Sequence, residues 1–371
     1  MARIKEIEFV DILNELPDII PLSSGKEFVQ QEYDIFFCAL GFEDRCLTIP
    51  EQLAKTKDFR CKQAIYFEYS TNVEDNGVNK TRLIHSFQQF VGSYNSFQCD
   101  EDNFTKNLRE YISEFIKSAE KAKIIFDNSV CSSKLLLSVM KILLEFDIHL
   151  LLVYSEAGTY HPTPEEFEKE PEKWTTEEDF GIAHGVGKVI PSPEHPGACK
   201  ENPNLIVAFL TFKPERTRSI ITDIDETLLI RPDKRIIWII GDPHMDEDTK
   251  SKRKEIMREI NKIPEECPTY EVCTFDYKET IKKLDKIYND NNLDVHINIS
   301  ALGSKMQTLG IALFCYVRPD VSVYLAIPKE YNSKQYSEGC NATWQIDFGG
   351  LSEIRKILDK VDQFETVQID I

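Results

Sequence analysis

Short apolar runs alternate with helix-like patterns along most of the chain. In the first half the runs are YDIFFCALG (33–41), KQAIYFEYS (62–70), NSFQCD (95–100), KIIFDN (123–128) and IHLLLVYS (148–155). Between them, 46–56, 78–92, 103–121 and 132–146 read as helices. This alternation predicts a mostly parallel sheet covered by helices. The second half repeats the order with NLIVAFLTF (204–212), KRIIWIIGD (234–242), TYEVC (269–273), DVHINIS (294–300) and VSVYLAIP (321–328).

Sliding one half over the other by 171 residues keeps the landmarks aligned. Arg45 falls on Arg216, Arg82 on Arg253, Ser129 on Ser300, Ser133 on Ser304 and Lys134 on Lys305. A register shared over successive strand–helix units predicts an α/β protein of two tandem Rossmann-like parallel-sheet domains, related by internal duplication. The expected boundaries are an N-terminal extension at 1–30, repeat 1 at 31–162, a connecting segment at 163–203 and repeat 2 at 204–371. Prolines and glycines in SEAGTYHPTPEEFEKEPEKW and HGVGKVIPSPEHPGACKENPN mark the connection.

One motif competes with this order. IITDIDETLL (220–229) matches the hhhDxDxT nucleophile pattern of haloacid dehalogenase phosphatases, and GDPHMD (241–246) resembles that family's metal-binding acids. The 171-residue shift lays 220–229 over a helix, IPEQLAKTKD, whereas a nucleophilic Asp must stand at the carboxyl end of a strand. Ile220, Ile224 and Leu228 also share one helix face. The segment is expected to be helical.

The repeated loops carry the candidate chemistry. In an open parallel sheet, ligands sit beyond the carboxyl ends of the strands, where free backbone NH groups and the positive end of a helix dipole hold anions. NISALGSK (298–305) and DNSVCSSK (127–134) both run from strand to small polar loop to helix. Ser129, Ser132, Ser133, Ser300, Gly303 and Ser304 let a phosphate approach the backbone and offer hydroxyl donors. A lysine at a helix start opposes the dipole by roughly 0.3–1 kcal/mol. Lys134 and Lys305 at matching positions therefore point to a bound anion, against the alternative of solvated lysines after a serine cap.

The loops after the first strands, ALGFEDR and FLTFKPER, bring Arg45 and Arg216 to the same edge, as phosphate forks or as partners of Asp44 and Glu215. Glu156, Tyr160, His161, Glu330, Tyr331 and Tyr336 follow the last strands and reach the same rim, where tyrosines could stack on a base.

Composition narrows the partners. A net charge of −19 over 371 residues argues against general DNA or RNA binding, though a local basic pocket could still hold a small phosphorylated ligand. No window approaches the ~18 apolar residues of a membrane span, and the acidic start MARIKEIEFVDILNELP lacks a secretion signal. A cytoplasmic protein is expected. The ten cysteines form no CxxC pair and the seven histidines no HxxxH, so no metal, cofactor or disulfide framework is expected.

The fourth-strand loop is similar to a known pattern. NISALGSKMQTLGIALF resembles the N/D-x-S/T-G-G-x-K stretch of CARF (CRISPR-associated Rossmann fold) domains and the related SAVED sensors. Asn298, Ser300, Gly303, Ser304 and Lys305 occupy matching positions, and Asp127, Ser129, Ser133 and Lys134 match more loosely. Ala301 replaces the first glycine of the pattern, and both glycines are missing from the first copy. The resemblance implies paired units that bind a cyclic oligonucleotide across a two-fold axis. With no effector domain attached, it implies either a sensor working with a separate partner in bacterial antiphage defence, or an enzyme that degrades the signal.

Whether the chain is an enzyme stays open at this level. In a ring-nuclease reading, Lys134, Lys305 or a loop serine would stabilise charge during attack by a ribose hydroxyl. A nucleoside- or NAD-cleaving enzyme would use Glu156 or Glu330. A non-catalytic docking subunit would use only its acidic surface.

Overall fold

The computed structural model describes residues 11–22, 32–117, 121–171, 185–198, 201–230, 235–265, 267–291, 294–329 and 337–366. The chain divides into two compact units, one formed by 1–160 with 336–371 and the other by 161–335. The first unit contains β1 (Ile20–Pro21), β2 (Tyr33–Ala39), β3 (Cys61–Glu68), β4 (Val91–Gln98), β5 (Lys123–Asp127), β6 (His149–Ser155) and β7 (Thr159–Tyr160). The second contains β8 (Val186–Pro196), β9 (Asn204–Phe209), β10 (Ile236–Asp242), β11 (Thr269–Cys273), β12 (His296–Ser300) and β13 (Ser322–Pro328). Two further strands, β14 (Ser337–Glu338) and β15 (Thr343–Gly350), belong to the first unit.

The two large sheets repeat one strand order. The first runs β1-β15-β6-β5-β2-β3-β4 and the second β11-β10-β9-β12-β13-β8. In each, the first five strands of the repeat are parallel, in the order third, second, first, fourth, fifth. The expected α/β architecture of two Rossmann-like sheets is therefore present. Its central strands are covered on both faces: all seven residues of β2 are buried, which is why YDIFFCA reads as an unbroken apolar run rather than an alternating one.

Helices close both faces. In the first unit, Phe36 meets Phe87 and Phe90 of the helix Val73–Phe90 edge-on, with centroids 6.1 and 5.9 Å away. In the second, Ile206, Ala208, Trp238 and Ile240 pack with Ile221, Leu228 and Met257. Ile221 and Leu228 come from the segment that mimics a phosphatase motif, which forms the helices Pro214–Asp225 and Thr227–Ile230 as expected. Asp225 there accepts hydrogen bonds from Thr227 N and Oγ1, at 3.0 and 2.6 Å. Among the described residues, no helix is long and apolar enough to cross a membrane.

The antiparallel strands correct the domain boundaries. β15 follows the second repeat in sequence but pairs with β6, so 337–366 completes the first unit rather than repeat 2. β8, from the supposed connecting segment, pairs with β13 and completes the second sheet, preceded in that unit by the helix Pro164–Lys169. The first sheet thus takes an outer strand from chain beyond the second repeat, and the second sheet takes its last strand from the segment just before its own first strand. The pattern of an edge strand shows that it will pair, not with which edge.

Candidate functional site

In each sheet the strand order reverses between the first and fourth strands, which lie side by side and parallel. β2 lies beside β5 and β9 beside β12, and the helices that follow them connect in opposite directions. This leaves a crevice at the carboxyl edge, where α/β sheets bind ligands. It is flanked by 40–45 and 128–134 in the first unit, and by 210–216 and 301–305 in the second.

The arginines confirm the duplication in atomic detail. Arg45 Nη1 donates to Ser155 O at 3.1 Å, and Arg216 Nη2 donates to Ala326 O at 2.8 Å, each across 110 residues. What surrounds them differs. Arg45 is 3 % exposed and forks onto Glu43, at 2.8 and 3.1 Å, rather than onto Asp44. Glu43 also accepts from Ser337 Oγ. This buried pair is closed.

In the second unit the helix that carries Arg216 has Lys213 as its N-cap, three residues before the arginine rather than two. Lys213 is 1 % exposed, and burial pulls its pKa down to about 8, with Glu215 opposing the fall and Arg216 adding to it. Arg216 Nε is buried with no hydrogen-bond partner. Burial also raises the Glu215 carboxyl above its ordinary range. The neutral fork of the first unit is therefore replaced in the second by two neighbouring cations and a partly buried acid.

The fourth-strand loops differ as well. Ser132 caps the helix Ser133–Leu143 by accepting from Leu135 N at 3.2 Å. Ser304 caps Lys305–Val317 in a capping box, accepting from Gln307 N at 3.1 Å while Gln307 Oε1 accepts from Ser304 N at 2.9 Å. The two caps are 172 residues apart, so the loops are out of step by one with the 171-residue shift. Lys305 is the first helical residue and Lys134 the second. Their side chains leave the helix about 100° apart, and the matched lysines, like the pairing of Ser133 with Ser304, are not structural equivalents.

Most serines are committed to the fold. Ser129 Oγ donates to Asp127 Oδ1 and accepts from Ser155 N at 2.8 Å, tying β5 to β6. Ser304 Oγ also donates to Thr274 O. Gly303 is required here, because a Cβ would collide with Gln307 Oε1 and press on the Phe209 ring. Ser300 is fully buried and its Oγ has no hydrogen-bond partner. Asn298 reaches toward the amino ends of the strands, donating to Asn204 Oδ1 at 3.0 Å and His296 O at 3.1 Å, so it does not face the loop.

The last-strand residues are also engaged. Tyr160 Oη lies 2.9 Å from Tyr154 Oη, and Glu156 accepts from Trp344 Nε1 at 3.1 Å. Their polar ends are thus held within the first unit. Glu330, Tyr331 and Tyr336 lie outside the described residues.

The first crevice is filled. A Cβ on Gly41 would sit 3.1 Å from Val130, so the two loops pack directly together, while Tyr69 Oη accepts from Ser132 N at 2.7 Å and donates to Val130 O at 3.3 Å. Asp127 is 2 % exposed, and burial raises its carboxyl to about 7 although hydrogen bonds from Ser129 and the charge of Arg45 hold it down. Ser132, Ser133 and Lys134 are half-buried after the buried stretch 128–131, whereas in the second unit the half-buried stretch begins earlier in the loop, at Leu302, and runs through Lys305. The second crevice is the better candidate. The sequence reading missed Lys213 and gave Asp127 no role beyond its place in the loop. Their signals were a cation directly before the helix-opening Pro214 and an acid closing the apolar run KIIFD.

No protein-family model matches the chain, and no curated protein matches it. Among solved structures, the cytoplasmic domain of a prokaryotic cation chloride cotransporter aligns at 9% identity over 82% of this chain and 99% of its own, with a TM-score of 0.25. A universal stress protein from Archaeoglobus fulgidus DSM 4304 aligns at 12% identity over 80% and 96%, with a TM-score of 0.22. Overlaps this loose carry no argument about function.

Proposed function

We propose that the chain binds a phosphorylated, nucleotide-type ligand in the crevice of its second unit. The observation that carries this reading is the placing of Lys213 and Arg216 at the same carboxyl edge as the half-buried loop Leu302–Lys305 and the helix it opens. A buried cation held near pH 8 gains most when an anion arrives, and an arginine with an uncommitted Nε can give a phosphate a second bond. The closed Glu43–Arg45 pair and the Val130 plug support one such site per chain, not two.

Binding is favoured over cleavage. The loop serines a cleavage mechanism would recruit are spent as caps and ties, and the lysines are not matched across the repeats. Sensing of a cyclic oligonucleotide for a separate partner in antiphage defence is the specific form of this proposal, and its support is the motif resemblance alone.

The test is calorimetric titration with inorganic phosphate, AMP, NAD, and linear and cyclic oligoadenylates, followed by chromatography of each ligand. The expected result is one site per chain, weakened at least tenfold by Lys213→Ala and by Lys305→Ala. A ligand recovered as product would replace the sensor with an enzyme. No heat from any ligand, or two equal sites, would overturn the proposal.

A further inference from the structure

The two sheets end on edges of opposite character. β11 closes the second sheet with five residues, and its Glu271 accepts from Lys254 Nζ at 2.8 Å and Arg258 Nη2 at 2.9 Å. A short edge carrying a charged side chain is protected against pairing with another strand. β4, its counterpart in the first sheet, has eight residues, VGSYNSFQ, of which six are exposed. It contains no charge, no proline and no bulge in its pairing with β3. Its outer row of backbone NH and CO groups is a template for another strand.

We infer that β4 pairs antiparallel with β4 of a second copy of this chain. Charge argues for that occupant. A chain of net charge −19 repels itself over most of its surface, yet from Val91 to Cys99 it carries no charged residue. The two ends of the edge are oppositely charged. Beside the amino end lie exposed Lys57, Arg60 and Lys62, which outnumber the exposed Asp58 among them and the Asp34 that pairs with Lys62 at 2.7 Å, since β3 begins at Cys61 opposite Val91. Directly after the carboxyl end come exposed Asp100, Glu101 and Asp102. A two-fold axis through the strand sets the basic end of each copy against the acidic end of the other. A parallel arrangement would oppose like charges. Tyr94, 39 % exposed on this strand, adds apolar surface to the contact.

The test is analytical ultracentrifugation of the full chain from about 1 to 100 µM, a range suited to a contact of one strand pair. A concentration-dependent dimer is expected, weakened at least tenfold by Ser93→Lys with Asn95→Lys. Circular dichroism and the melting midpoint of the variant monitor its fold. Charge reversal by Asp100→Lys with Glu101→Lys is expected to weaken the dimer, and adding Lys57→Glu with Arg60→Glu to restore it. The restoration is a readout that simple loss of folding cannot produce. A wild-type monomer across the whole range overturns the inference. So does a dimer that none of these variants changes, because it would then form through another surface.

Discussion

The guanidinium of Arg45 donates to the carbonyl of Ser155, tying the loop after the first strand to the end of the fifth. Arg216 repeats the bond to Ala326. The tie is shared by both repeats, but only in the first does a buried carboxylate, Glu43, close around the guanidinium. Removing one partner of a buried pair leaves the other charge uncompensated, at a cost of about 3–5 kcal/mol. Arg45→Ala is expected to destabilise the first unit by that order, and Arg45→Met with Glu43→Leu by much less. Urea unfolding of both variants checks this; equal losses would mean that the carbonyl tie, not the ion pair, carries the stability.

Asp127 gives the first unit a defined pH dependence. Its carboxyl is raised by burial to about 7 from an ordinary value of 3.8, so the folded chain holds a proton that the unfolded chain releases. Stability from this group is therefore full below pH 3.8, falls as pH rises toward about 7, and is level above that. The slope is about 1.4 kcal/mol per pH unit within the window. Asp127→Asn is expected to flatten that part of the profile, measured by denaturant midpoints at several pH values. An unchanged slope would place the titrating group elsewhere.

Lys213 acts in the opposite sense. Its pKa is lowered to about 8, so the folded chain loses this proton before the unfolded chain does, and stability rises between pH 8 and 10.5. An anion in the crevice reverses the preference by favouring the ammonium. Phosphate affinity is expected to fall as pH rises through 8, with proton uptake on binding near that pH. Titrations in buffers of different ionisation heat read the uptake directly, and Lys213→Met should abolish it.

The two loop lysines should not behave alike. Lys305 is the first residue of its helix, in the unit that holds Lys213 and Arg216, whereas Lys134 is the second residue of its helix, in the unit whose two loops meet at Gly41 and Val130. Lys305→Ala is expected to weaken phosphate binding about tenfold and Lys134→Ala to leave it unchanged. Equal effects in a phosphate titration would restore the lysines as a matched pair.

The capping box tests the glycine. Ser304→Ala removes the acceptor for Gln307 N, at about 1 kcal/mol for a lost cap. Gly303→Ala should cost at least as much, because its methyl group would displace the Gln307 amide. For a unit of the size of 161–335 both imply a melting-midpoint drop of roughly 2–4 °C, read by calorimetry.

Local pattern settled a good deal. The apolar runs located the ten parallel strands, helix-face spacing exposed 220–229 as a helix, and the 171-residue shift found Arg45 and Arg216. These features depend on chain periodicity and on the fixed geometry of strand–helix units, both of which are written in short stretches. Tertiary structure alone decided the rest. β8 and β15 were placed by which sheet edge each could reach, and the lysines lost their equivalence because one loop is a residue out of step. Lys213 and Asp127 became distinctive only through burial, which depends on neighbours distant in sequence. A side chain's chemistry is local, but the desolvation that shifts it belongs to the packed fold.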